Sequence, residues 1–309
     1  MPLERHGDRS RETTPKISVV IASKVGPPFI DQCLESIEEE AKKLDAEVIV
    51  VAAGTETYAS RIAADFPWTR VIYAPNLSKV PALRRRGVEE ATGRLVAIIE
   101  EHCSAKADWL HQALVAHSSG NYAAVGGPIA DYQYDRLCDW VVYFCEYSDA
   151  LPPAPKGETD LLNDANIAYH RHLLMDHVHL LDAGYWPMTL HAALLAKGAK
   201  FLSAPEMVVY HRGPFKFGYY LRQRFLFSRA FAGVRAQTQS SGRRLAYLVG
   251  APLIPAMLLG RMALRVWKKG RIRQFILVLP LTITALIVLV AGEWVGCFLG
   301  PGDALSKVE

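Results

Sequence analysis

Leu95-Val96-Ala97-Ile98-Ile99-Glu100-Glu101-His102-Cys103 decides how this chain folds and where its chemistry sits. Its first five residues are apolar and three of them are β-branched, which predicts a strand buried on both faces. Two acids and a histidine follow at the strand's carboxyl end. Working outward, Ile17–Ala22, Glu47–Ala53 and Val71–Ala74 read as strands of the same kind. Gly26-Pro27-Pro28 breaks the first one and opens a helix on which Phe29, Ile30, Cys33, Leu34 and Ile37 recur at helical spacing. Pro81–Ala91 reads as a further helix, closed by Gly93. Apolar strands alternating with helices predict an α/β domain with a mainly parallel, Rossmann-like sheet covered on both faces. Ligands of such sheets sit beyond the carboxyl ends of the strands. In an extended segment Glu100 and His102 point the same way, and carboxylate oxygen with imidazole nitrogen suits Mn²⁺, Mg²⁺ or Zn²⁺.

The 309 residues are half apolar, with a mean hydropathy of +0.09, which excludes a disordered chain and a coiled coil. Five cysteines without a CxxC pair exclude a disulfide framework and a zinc ribbon. The net charge of +4 conceals a sharp division. Residues 1–211 carry a net charge of −8, whereas Arg212–Arg273 holds fourteen Lys and Arg and no acid. A purely basic belt is a footprint for an anionic surface. Phe275–Leu299 has one charge, Glu293, with Trp294 beside it, and is long enough to span a bilayer. Leu245–Gly260 is shorter and is interrupted by Gly250, Pro252 and Pro255. It reads as a re-entrant or tilted helix, with a second span as the rival, because a span would strand Lys268, Lys269, Arg271 and Arg273 outside. Residues 214–236 interleave aromatics with arginines, as in a helix lying among lipid headgroups. Basic residues that flank apolar runs make the partner an anionic membrane and not nucleic acid. The expected organisation is a loose N-terminus at 1–15, a catalytic-type domain at 16–213, an interfacial helix at 214–244, a membrane region of one or two transmembrane helices at 245–300, and a tail at 301–309. Residues 1–15 are polar and hold no apolar leader, which places the domain on the cytoplasmic side of an inner membrane.

The order of these segments resembles family 2 glycosyltransferases with the GT-A fold. The resemblance is carried by the strands Ile17–Ala22 and Glu47–Gly54, by Ala82–Gly87 followed by Ala91-Thr92-Gly93, and by Leu95–His102 at the family's DxD position. Asp164–Tyr169, and Phe201–His211 ending in a histidine, complete it. It covers roughly residues 16–213 and implies a nucleotide-sugar donor, with a UDP-linked sugar expected, and a divalent cation, Mn²⁺ or Mg²⁺. It implies Glu100, His102 and His211 as metal ligands, and Ala22, Ser23, Ala53, Arg84, Glu100 and Glu101 beside the donor. Asn166 and Trp186 fall on the acceptor side. Membrane helices after the domain imply a lipid or lipid-linked acceptor.

Two departures stand out. Ala52 and Ala53 occupy positions where the family has acids, one of which contacts the nucleobase. The family's general base also has no counterpart, since Tyr185–His191 contains no carboxylate. Asp182 and His191 are the substitutes the sequence offers. A lipid phosphate acceptor, already ionised, would need no strong base. The alternative is a catalytically inactive scaffold subunit of a membrane complex.

Overall fold

The computed structural model describes residues 15–308 apart from 25, 183–185, 187–188, 214–215, 239, 241, 243–248 and 251–252. Its strands are β1 (Ile17–Ser23), β2 (Glu47–Ala52), β3 (Arg70–Tyr73), β4 (Leu95–Ile99), β5 (Cys103–Ala105), β6 (Ala124–Gly126), β7 (Ile129–Asp131), β8 (Gly157–Thr159), β9 (Asn166–His170), β10 (Phe201–Ser203) and β11 (Val209–His211). Its helices are α1 (Phe29–Lys43), α2 (Glu56–Asp65), α3 (Val80–Glu90), α4 (Trp109–Ser118), α5 (Leu137–Tyr147), α6 (Arg171–Asp176), α7 (Leu190–Ala196), α8 (Phe217–Thr238), α9 (Ile254–Lys268) and α10 (Ile272–Leu299).

An eight-stranded sheet runs β3-β2-β1-β4-β9-β6-β10-β8, and β5-β11-β7 form a small second sheet. β1 pairs in parallel with both β2 and β4, while β9 runs antiparallel between β4 and β6. The expected mainly parallel character therefore holds on the amino-terminal half. Period-two alternation builds both layers. Ile17, Val19 and Ile21 face the core under α1, α4 and α5, and Val20 faces the layer under α3 and α7. Full burial of each such side chain stabilises the fold by roughly 1.5–3 kcal/mol. Thr55 caps α2 by accepting a hydrogen bond from the Tyr58 amide at 3.2 Å.

The basic belt is more engaged than its composition predicts. α8 packs along α10. Arg224 pairs with Glu146 at 3.0 Å, Arg235 pairs with Glu293, and the Arg229 Nε donates to the Gly300 carbonyl at 3.4 Å. Arg222 stays exposed. In the region expected to be re-entrant, residues 245–248 and 251–252 lie outside the described set, and α9 begins only at Ile254.

Two buried histidines predict how stability varies with pH. The His117 Nε2 lies 3.1 Å from the Ala168 carbonyl oxygen, and the His191 Nε2 lies 2.6 Å from the Tyr169 hydroxyl. Burial pushes each imidazole down to about 4. The unfolded chain, with histidines near 6.5, then binds more protons than the native one between those values. Their stabilising contribution is complete above pH 6.5 and is lost as pH falls towards 4, at up to about 1.4 kcal/mol per pH unit for each ring. Urea denaturation at pH 7, 6 and 5 should show this decline, and His191→Gln should flatten it by about one proton. An unaltered slope would contradict the assignment.

Candidate active site

A cavity of about 490 Å³ opens beyond the carboxyl ends of β1 and β4 and is closed on its far side by α8. At its floor the chain turns instead of extending, because the Cys103 amide donates to the Glu100 carbonyl at 2.9 Å. The expectation that Glu100 and His102 project together from an extended segment is corrected here. Glu101 folds back, 4% exposed, and accepts from the Ser23 hydroxyl at 2.7 Å, the Lys24 amide at 2.8 Å and the Gly26 amide at 3.3 Å. It thus shapes the loop after β1. Ser23 is fully buried between Glu101 and the Tyr58 hydroxyl and serves the same loop.

Glu100 faces the cavity within a buried ionic network. α3 presents Arg84 on its inner face, and the guanidinium donates to Asp164 at 2.8 Å and to Glu100 at 3.1 Å while lying 5.8 Å from the Trp186 ring centroid. Burial works against that positive charge, but Asp164 and Glu100 outweigh it and raise the Arg84 pKa. The other Glu100 oxygen accepts from the Tyr147 hydroxyl at 2.9 Å. The Tyr147 ring lies 4.8 Å from the His211 imidazole. β11 pairs His211 with Cys103 of β5, next to His102, whose carbonyl accepts from the Arg212 amide at 2.6 Å.

Burial, with His102 adding to it, pushes the His211 imidazole down to about 3, so the ring is neutral at physiological pH. The Tyr134 hydroxyl donates to the His211 carbonyl at 3.0 Å and lies 2.7 Å from Nδ1.

Glu100, His102 and His211 share this cavity, and their donor atoms suit a hard or borderline divalent cation. Among the described residues no three His, Cys, Asp or Glu side chains are grouped closely enough to hold a metal ion. A cation here would need substrate oxygens to complete its shell, as is usual where phosphates are bound.

The other expected site residues are dispersed. Ala22 lines the cavity. Ala53 is buried just past the end of β2. Asn166 is fully buried and structural, accepting from the Trp109 indole at 2.8 Å and donating to the Pro128 and Met207 carbonyls. Trp186 is fully buried against Arg84 and Tyr169. Asp182 forms a surface ion pair with Arg85, and His191 is held under the sheet by Tyr169. Neither belongs to the described cavity lining.

The carboxylates that do line the cavity are Glu100, Glu101, Glu146, Asp149 and Asp164. Glu146 is taken by Arg224 and by the Tyr220 hydroxyl at 2.8 Å, and Asp164 by Arg84. Sequence reading missed Tyr147, Glu146 and Asp149. The contacts of Tyr147 with Glu100 and of Glu146 with Tyr220 and Arg224 span tens of residues, and no local signal announces them. Arg84 and Asp164 were both visible, but their pairing was not.

A sheet whose carboxyl edge opens on an acid–histidine turn, with a histidine-terminated strand beside it, is the arrangement of a GT-A glycosyltransferase. The fold is similar to that of mannosyltransferase PcManGT from Pyrobaculum calidifontis in complex with GDP-Man and Mn²⁺ (TM-score 0.56, 17% identity, 92% of this chain and 88% of that one). It is also similar to residues 1–349 of TarS from S. aureus (TM-score 0.51, 13% identity, 90% of each chain). No curated protein sequence matches the chain significantly. The model of glycosyl transferase family 2 matches residues 18–173, and the chain belongs to that family.

Proposed function

We propose that this glycosyltransferase moves a sugar from a nucleotide-sugar, UDP-linked by preference, to a lipid or lipid-linked acceptor at the cytoplasmic face of an inner membrane. The observation that carries the reading is the composition of the cavity. A polar floor, formed by Arg84, Glu100, His102 and His211, faces an α8 wall bearing Arg224, Phe227 and Phe231. The floor suits a diphosphate, and the wall suits an amphiphile. A divalent cation, Mn²⁺ or Mg²⁺, for which Glu100, His102 and His211 would have to draw together around the donor's phosphates, would neutralise the charge of the departing nucleotide. PcManGT carries Mn²⁺ in its complex. Arg84 orients Glu100 toward that position and excludes water beneath it. For a hydroxyl acceptor, Asp149 takes the role that Asp182 and His191 were expected to fill. It lines the cavity and forms no ion pair among the described residues.

Thermal unfolding with UDP, GDP and CDP, each with and without Mn²⁺, tests the donor site. A ligand at a hundred times its dissociation constant adds about 2.7 kcal/mol of stability. One nucleotide should shift the transition in a metal-dependent way, and Glu100→Ala/His102→Ala should abolish the shift. If no nucleotide moves it, the scaffold reading replaces the enzyme. Asp149→Asn should leave the nucleotide shift intact and lower kcat with a hydroxyl acceptor about a hundredfold. An unchanged kcat would remove Asp149 from the chemistry.

A further inference from the structure

α10 is the one helix among the described residues long and apolar enough to cross a membrane, by length and composition. Its neighbours argue against crossing. At its start, Arg271 pairs with Asp131 at 2.8 Å and Phe275 packs on Phe144 of α5 at 5.7 Å. Towards its end, a Cβ on Gly292 would meet the Phe225 carbonyl at 2.5 Å and one on Gly296 the Arg229 carbonyl at 2.3 Å, while one on Gly233 would meet the Gly300 carbonyl carbon at 2.6 Å. The register advances in the same direction on both helices, so α8 and α10 run in parallel with their backbones nearly touching. The opposite side of α8 is the cavity wall, with the ion pair of Arg224 and Glu146. α10 is therefore held at its start by the catalytic-type domain and towards its end by α8, the cavity wall. Placing it at hydrocarbon depth would carry the cavity and its charges there as well, against a large desolvation penalty.

The side of α10 turned away from the domain is a continuous uncharged stripe. Ile276, Pro280, Ile283, Ile287, Trp294 and Phe298 are all exposed and recur at three- and four-residue spacing, with one step of seven. They trace about 33 Å of helix. α9, joined to α10 through Gly270, likewise exposes Met257, Leu264 and Trp267 beside Arg261 and Lys268. No acid occurs anywhere between residues 207 and 292. A long apolar stripe, tryptophans and uncompensated cations complement an anionic lipid surface.

We infer that α9 and α10 lie flat in the interface of an anionic bilayer, so that the longest apolar helix of the chain attaches the enzyme without crossing. The inference rests on the membrane part of the proposed function and is independent of sugar transfer. It replaces the expected one or two spans with attachment to a single leaflet.

Single cysteines introduced by Lys268→Cys and Asp303→Cys bracket α10, and both positions are exposed. In sealed membrane vesicles with the catalytic domain outward, a membrane-impermeant maleimide should label both above the background of the parent chain. Protection of either from that side, as one span or a helical hairpin requires, would overturn the inference. The purified full chain should also float with phosphatidylglycerol vesicles and bind phosphatidylcholine vesicles at least tenfold less. Ile287→Asp/Phe298→Asp should lose flotation while keeping the parent's circular dichroism. Equal binding to both lipids, retained flotation of the variant, or a soluble dimer that ignores vesicles would each reject it. Nucleotide shifts and transfer rates enter none of these readouts, so failure here is separable from failure of the enzymatic reading.

Discussion

Arg84→Leu is expected to destabilise the protein by about 3–5 kcal/mol and to abolish the nucleotide-induced shift. The guanidinium holds Asp164 and Glu100 at 2.8 and 3.1 Å with its side chain only 6% exposed. Its removal leaves two carboxylates facing each other at the cavity floor, and breaking a buried pair strands an uncompensated charge. In domains of 150–250 residues each kcal/mol moves the melting temperature by about 2–4 °C, so thermal unfolding reads the loss directly. Arg84→Lys should fall between the two, because a point ammonium cannot reproduce a fork that reaches two carboxylates. Arg84→Leu/Glu100→Gln/Asp164→Asn removes all three charges and should regain much of the lost stability without regaining nucleotide binding. A loss below 1 kcal/mol in the single variant would mean that the network is not what holds the floor.

The amino-terminal half of the sheet was legible because each strand carries its own signal. Val19–Ile21 and Val48–Val51 are apolar on both faces, and the breaks at Gly26 and Gly54 bound them. β9 was less so, since its antiparallel insertion between β4 and β6 depends on partners far along the chain. The acid–histidine turn was found at the right place but with the wrong geometry. Side-chain alternation assumes an extended backbone, and the Cys103–Glu100 hydrogen bond bends it, turning Glu101 inward as the keystone of the neighbouring loop. Asp182 and His191 were offered by their place along the chain, in and just before Tyr185–His191. Counting along the chain cannot tell which side of the sheet a residue reaches. The basic belt showed its charge in the sequence, but not that Arg224 and Arg235 are spent on Glu146 and Glu293.

Gly296→Leu should cost the protein several kcal/mol and at least tenfold in transfer rate, although the residue lies outside the cavity. Overpacking of a core by flexible side chains usually costs about 1–3 kcal/mol, because the neighbours can shift. Here the obstacle is backbone: the Arg229 carbonyl would stand 2.3 Å from the new Cβ, and the Gly233 amide nitrogen 2.9 Å from it. α8 and α10 can only move apart. Small residues at i and i+4 are the usual means of bringing two helices into such close contact, and Gly292 and Gly296 have that spacing. Since Tyr220 and Arg224 sit on the cavity side of α8 and hold Glu146, displacement of α8 reaches the wall proposed for the acceptor before the floor proposed for the donor. The expected kinetic signature is therefore a raised KM for the acceptor with donor affinity nearly preserved. Gly260, on α9, is the matched control, because a Cβ added there would meet nothing within 4 Å. Gly260→Ala should be neutral or stabilising by up to about 1 kcal/mol, as for any exposed helical glycine. If Gly296→Leu raised the donor's KM and spared the acceptor's, α8 would have to be reassigned from the acceptor wall to the nucleotide.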